Sequence, residues 1–290
     1  MAALFYTPLP HRALVKIGGE DRQTFLQGLV SADVPKADGS RALYGALLTP
    51  QGKFLHELFI AGHDDALLLE TDAARRADLV KKLSMYKLRA KVTVAAEDGL
   101  QAYALWGEGA ASALGLPAEA GSYHGGLAFH DPRLAEAGFR AWLANEDALA
   151  AAGFVKADFA VWDQARIRLG LPDGVRDLEP EKSLLLENGF DELNGVDFEK
   201  GCYMGQELTA RTKYRALIKK RLLPVTITGP APEPGAPILA GEVEAGEMRS
   251  SCGEVGLALL RLEHLTAGAN LTTGNARISP TPPEWMVLPA

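Results

Sequence analysis

The residues with most chemistry to offer lie together in "FEKGCYMGQELTARTKYR", residues 198–215, where Cys202 stands between Gly201 and Gly205 and two positions after Lys200. A cysteine acts as nucleophile or metal ligand through its thiolate, a form favoured by a nearby ammonium and by the exposed amides of a helix start. This spacing offers both. Lys200 is close in sequence, and "QELTARTKY" reads as a short helix that begins just past the loop, with Glu207 and Arg211 at i, i+4. Gly201 and Gly205 permit positive φ and let a ligand approach the backbone. A lone cysteine is also a common small core residue, so two readings stand open: packing, or an exposed functional thiol. The neighbours Lys200, Gly201, Gly205 and Gln206 suit the second, since a core cysteine would need apolar neighbours.

The remaining sequence narrows the chemistry. Cys252 is the only other cysteine and no CxxC pair occurs, a usage that fits a reducing compartment better than a disulfide scaffold. An iron–sulfur cluster usually takes about four thiolates, so one chain cannot hold a conventional cluster alone. The six histidines show no HxxxH or HExxH spacing, and neither GxGxxG nor a phosphate-binding P-loop is present. The start, "MAALFYTPLPHR", lacks the features of a secretion signal, and no apolar run approaches a membrane span. These features predict a cytoplasmic protein with no membrane partner. A net charge of -7 argues against direct DNA binding. Residues 200–221 nevertheless hold seven basic residues (Lys200, Arg211, Lys213, Arg215, Lys219, Lys220, Arg221) against the single acid Glu207, a run able to attract an anionic ligand or RNA, or to form a solvated face.

The elements that must position this segment follow from periodicity. "RALVKIGG" alternates as a strand and "EDRQTFLQGLV" gathers Phe25, Leu26, Leu29 and Val30 on one helical face. "GALLTPQGKFLHELFIAG" predicts two strands about a turn and "DALLLET" a third; Asp72 then stands where it can cap a helix carrying Leu79, Leu83 and Tyr86. "QAYALWG" and "FRAWLA" predict strands of a second unit, "DFAVWDQARIRLGLP" a helix, and "GVDF" a strand end. The pattern is α+β with antiparallel pairing. From Leu222 onward, short β-like runs separated by Gly and Pro predict a small barrel, giving an α+β region of residues 1–221 and a C-terminal β-barrel of residues 222–290.

"KGCYMGQELTART" resembles the K-G-C-[FY]-x-G-Q-E signature of the YgfZ family, folate-binding proteins of iron–sulfur cluster maintenance related to the aminomethyltransferase of the glycine cleavage system. "FLQGLVSADV", "LLTPQGKFL", "MYKLRAKV", "RIRLGLP" and "AGEMRSSCGEVGLALLRLE" extend the likeness over nearly the whole chain. "GQELTART" is especially similar to the bacterial and mitochondrial branch that supports [4Fe–4S] proteins. The resemblance implies an aminomethyltransferase-like ring of three subdomains, two of them interleaved and ferredoxin-like, around a cavity for tetrahydrofolate. It implies Cys202 as the functional thiol with Lys200 beside it, and Glu187, Gly201, Tyr203, Gly205, Gln206, Glu207 and Arg211 toward the folate. Tyr203 and Trp162 could stack on a ring or simply pack. Implied partners are iron–sulfur client or assembly proteins, among them tRNA-modifying enzymes. Aminomethyltransferases carry paired aspartates in the hairpin that here reads His56-Glu57, a departure that puts one-carbon transfer in doubt and points away from a conventional enzyme. The alternatives are a folate-dependent aminomethyl transferase and a tRNA-binding protein using residues 200–221.

Overall fold

In the computed structural model, residues 3–215, 218–265 and 270–288 are described; Ala216 and Leu217 of the basic run lie outside them. The chain forms two compact units, one of Met1–Leu48, Leu55–Phe159 and Leu193–Met204, the other of Thr49–Phe54, Ala160–Glu192 and Gly205–Ala290.

The first unit is built on two sheets. Its elements are β1 (Leu4–Pro8), β2 (Arg12–Gly18), α1 (Arg22–Gln27), β3 (Ala42–Leu48), β4 (Phe54–His63), β5 (Ala66–Asp72), α2 (Arg76–Tyr86), β6 (Thr93–Glu97), β7 (Gln101–Trp106), α3 (Ala110–Leu114), β8 (Ala120–Tyr123), β9 (Gly126–His130), β10 (Phe139–Leu143), α4 (Asp147–Ala151) and β11 (Phe154–Lys156). One sheet has the order β3-β4-β5-β2-β6, the other β11-β1-β7-β10-β9-β8. In the second of these sheets every pairing is antiparallel apart from β1 with β11, and in the first β2 pairs antiparallel with β5 and β6, and β4 with β5. Leu26 and Val30 of the first predicted helix face, with Leu79 and Leu83 of α2, are buried against β2, β4 and β5 in one apolar core. The hydrophobic effect holds each helix to its sheet through these side chains.

A cluster of charge bridges the two sheets. Arg12 donates to Glu70 at 2.9 Å and to Glu57 at 2.7 Å. Arg140 donates to the same Glu70 and, at 3.1 Å, to Asp131, which Arg133 also holds. The Trp142 indole donates to Glu70 at 2.6 Å and the Tyr44 hydroxyl to Glu57 at 2.7 Å. The Arg140 guanidinium lies 3.7 Å from the Phe59 ring centre, with that of Arg133 at 4.9 Å, close enough for cation–π attraction. All of these side chains are buried. Burial tends to raise the carboxyl pKa of Glu70, but Arg140, Arg12 and the Trp142 hydrogen bond outweigh it and leave it lowered. Asp72 does not cap the following turn as expected: no side-chain cap bond forms, and its carboxylate stands 3.8 Å from Arg12. The buried guanidinium attracts it more than the helix end does.

The second unit contains α5 (Phe159–Arg168), α6 (Gln206–Tyr214) and six strands: β12 (Lys220–Thr228), β13 (Pro237–Ala240), β14 (Val243–Cys252), β15 (Val255–Arg261), β16 (Leu271–Thr273) and β17 (Ala276–Pro280). The strands close into a barrel in the order β12-β15-β14-β13-β16-β17, the small β fold the Gly/Pro spacing predicted. Arg166 of α5 ties it in, donating to Asp163, Asp177 and Ser250. This α+β plan matches the fold class expected from the sequence.

Candidate functional site

The segment 195–205 is irregular; "GVDF" forms no strand. Val196 is buried and Asp197 is engaged at once, its backbone N–H bonding Ser31 and its carboxylate Lys36. The chain is then pinned twice to the C-terminal end of α1. The Lys200 ammonium donates to the carbonyls of Gln27 at 2.7 Å and Val30 at 2.5 Å, and the Met204 N–H donates to Gly28 at 3.1 Å. A cation at a helix C-terminus satisfies carbonyls that have no partner within the helix. Burial lowers the Lys200 pKa to about 8 against the opposing pull of Asp33 and Asp197. Lys200 thus anchors the loop, its charge committed to α1, where the sequence had suggested direct support of the thiol.

Between these two pins the chain bulges outward. Gly201 has φ +90° with open space beside it, and Cys202 is exposed. The packing reading of Cys202 is therefore set aside. Tyr203 turns the other way: it is 8% exposed and one face looks at the Lys200 ammonium, 5.1 Å from the ring centre. Trp162 is likewise buried in α5. Cys252 differs from Cys202, for it is half-buried, packs beside Leu257 and Leu259 and directs its thiol to the Ala160 carbonyl at 3.7 Å. Under native conditions iodoacetamide should therefore label Cys202 well before Cys252, with the order read by peptide mass spectrometry. Equal rates would remove the exposed-thiol reading.

In the second unit, Gly205 takes the left-handed conformation that starts α6. Its carbonyl would lie 2.7 Å from a Cβ on Gly52, so the hairpin glycine is needed for close approach. Gln206 is half-buried and Glu207 exposed, and Glu207 pairs with Arg211 at 2.5 Å as the i, i+4 spacing predicted. Glu187 lies in the 3-10 turn Leu186–Asn188, half-buried. Desolvation raises its carboxyl pKa; the charges of Lys220 and Lys53 and a hydrogen bond from the Lys220 backbone oppose this only in part.

Four of the seven basic residues in 200–221 are engaged by partners, while Arg215, Lys219 and Lys220 form no ion pair among the described residues. Arg221 is buried, donating to Leu186 and Glu192, because barrel strands turn alternate residues inward. Lys213 pairs with Asp191 at 2.9 Å, Arg211 with Glu207, and Lys200 with α1. Among the described residues no group of three or more His, Cys, Asp or Glu is placed to hold a metal ion.

The barrel, residues 219–288, matches the family model described as "CAF17, C-terminal beta-barrel domain". Over 96% of its length the chain is 35% identical to the mitochondrial iron–sulfur cluster assembly factor IBA57 of Mus musculus, covering 84% of that protein. It is 34% identical to the Homo sapiens protein with the same coverage of each. The chain belongs to the IBA57 family. This corrects the resemblance to YgfZ proteins: the cysteine signature led to the wrong family, whereas identity over almost the whole chain identifies the IBA57 proteins. The expected cytoplasmic location is overturned too, because these IBA57 relatives are mitochondrial proteins. The fold is also that of the glycine cleavage system aminomethyltransferase T of Bartonella henselae, with a TM-score of 0.79 at 16% identity, covering 98% of this chain and 86% of that one. At that identity the likeness concerns fold alone.

Proposed function

We infer that this protein is an accessory factor of iron–sulfur cluster assembly that contacts the cluster through Cys202. The observation that carries the reading is an exposed thiol on a loop fixed at both ends to α1, in a chain related throughout to proteins of that function. Cys202 supplies one sulfur, and a cluster requires about four ligands. The cluster is therefore cargo, and the other ligands belong to a partner protein or a client apoenzyme. The two pins hold the thiol outward, so the loop gives up little conformational entropy when the cluster is met. Clients of the [4Fe–4S] class, tRNA-modifying enzymes included, fit this role. The direct test follows cluster transfer from a loaded carrier to an apoenzyme with wild-type protein and with Cys202→Ser; an undiminished rate with the variant would refute the reading.

A folate role is a finer part of the proposal and rests on Glu187. A half-buried carboxylate left partly uncompensated suits the paired N–H donors of a pterin aminopyrimidine edge. Bound tetrahydrofolate would supply a reduced pterin, and Glu187 would orient it. Glu187→Ala should weaken tetrahydrofolate binding by about 1.5–3 kcal/mol, the worth of a hydrogen bond to a charged group. Calorimetry giving equal affinity for both proteins would exclude Glu187 from any folate site. Gln206, Glu207 and Arg211 have no comparable observation behind them.

One-carbon transfer has no such support. His56 and Glu57, at the place of the paired aspartates, are fully buried. Glu57 is held by Arg12 and Tyr44, and burial with the nearby Arg75 charge lowers the His56 pKa to about 4. A proton donor must reach its substrate, and these two are packed within the first unit. For RNA binding, the basic run offers Arg215, Lys219 and Lys220 but no built site, since Lys200, Arg211, Lys213 and Arg221 are engaged elsewhere.

A further inference from the structure

The C-terminal end of α2 and the turn after it carry an unusual surface. Met85 is 66% exposed and Leu88 87%, with Tyr86 exposed beside them. Leu88 has φ +43°, a left-handed conformation that is costly for a bulky side chain. An apolar residue normally recovers such a cost by burial, yet this one projects into solvent. Lys81, Lys87 and Arg89 neighbour the apolar group in sequence, and none of them forms an ion pair among the described residues. Lys82 is attached only loosely to Asp78, at 3.8 Å. The tip is therefore basic on a chain of net charge -7.

The tip is joined to the thiol loop through α1. The Lys91 N–H donates to the Asp21 carboxylate at 2.7 Å, and Asp21 is the N-cap of α1. The Cys202 loop is pinned at the other end of the same helix. With six residues, α1 is about 9 Å long, so the points at which the α2 segment and the thiol loop attach to it stand one short helix apart in the first unit.

We propose that the α2 tip is the docking surface for an acidic protein that carries the remaining ligands of the cluster met by Cys202. Met85, Tyr86 and Leu88 supply the apolar anchors, and Lys81, Lys87 and Arg89 steer a partner whose own apolar patch is ringed by carboxylates. The left-handed Leu88 is a binding feature kept at the expense of local stability. This proposal rests on the cluster-contact reading of Cys202 and adds the partner to it.

The test uses cells lacking the protein, complemented with the full chain, with aconitase activity as the readout. Leu88→Gly removes the anchor and relaxes the backbone, so Tm should not fall while aconitase activity drops at least about fivefold, as loss of one strong anchor implies. K87E/R89E should give a similar loss, and Val243→Asp on the exposed face of the barrel none. Full support by Leu88→Gly beside failure of Cys202→Ala would overturn the docking surface and leave the thiol reading intact; full support by Cys202→Ala would remove the thiol reading itself. Phosphatidylserine vesicles and bulk tRNA serve as direct probes of the purified protein. Binding of either, abolished by K87E/R89E, would assign the tip to lipid or RNA and overturn the protein partner.

Discussion

Glu70→Ala should cost about 3–5 kcal/mol of folding free energy, measured by urea denaturation, because three buried donors lose their shared acceptor at about 1–3 kcal/mol each, although Arg12 and Arg140 keep Glu57 and Asp131 as counter-charges. The variant deprives Arg12, Arg140 and the Trp142 indole of their shared acceptor. Against a typical total of roughly 5–15 kcal/mol, that loss is a large fraction of the stability of the fold. A loss below about 1 kcal/mol would show that the cluster is not a keystone of the first unit. Acid should act on the same group. Asp131 is buried, which raises its pKa, but Arg133 and Arg140 prevail and hold it lowered to about 2, and Glu70 is lowered too. A depressed folded-state pKa gives stability that is complete above the ordinary carboxylate range and is lost as pH falls through the folded value. Their contribution should thus persist down to about pH 4 and disappear toward pH 2.

Cys202→Ala should have the opposite profile. The side chain is exposed, so stability should change by no more than about 0.5 kcal/mol. Support of [4Fe–4S] enzymes, by contrast, should fall to the level of cells lacking the protein. Aconitase activity in extracts, compared with Tm of the purified variant, separates the two effects. A stable variant with normal support would leave Cys202 without a role.

The sequence made the hairpin strands and the barrel legible through short apolar runs between turn residues, α2 through Leu79 and Leu83 on one face, and α6 through the i, i+4 pair Glu207 and Arg211. The Cys202 loop was legible as a polar, glycine-flanked segment, but its anchoring was not. Lys200 and Gln27 are far apart in the chain, and nothing local shows that an ammonium caps a helix it does not follow. The inter-sheet charge cluster was missed for a related reason. Arg12, Glu70 and Arg140 are far apart in the chain and meet only when the sheets bring them together, and the one hint is an acid within the otherwise apolar "ALLLET". Arg221 was misjudged because it closes a basic run. Its place as an inward residue of β12 decides its burial, and the register of a barrel is a tertiary property.

The interleaving of the two units also bears on how the protein is made. The first unit needs Leu193–Met204 and the second needs Thr49–Phe54, so the emerging chain cannot finish its first unit until residue 204 has left the ribosome. Until then, the core between α1, α2 and strands β2, β4 and β5 lacks Met204, which packs against it. Nascent chains stalled before that residue should recruit chaperones, and those stalled well beyond it should not. The piece that arrives last is the loop bearing Cys202, so the thiol is set in place only when the unit beneath it is complete.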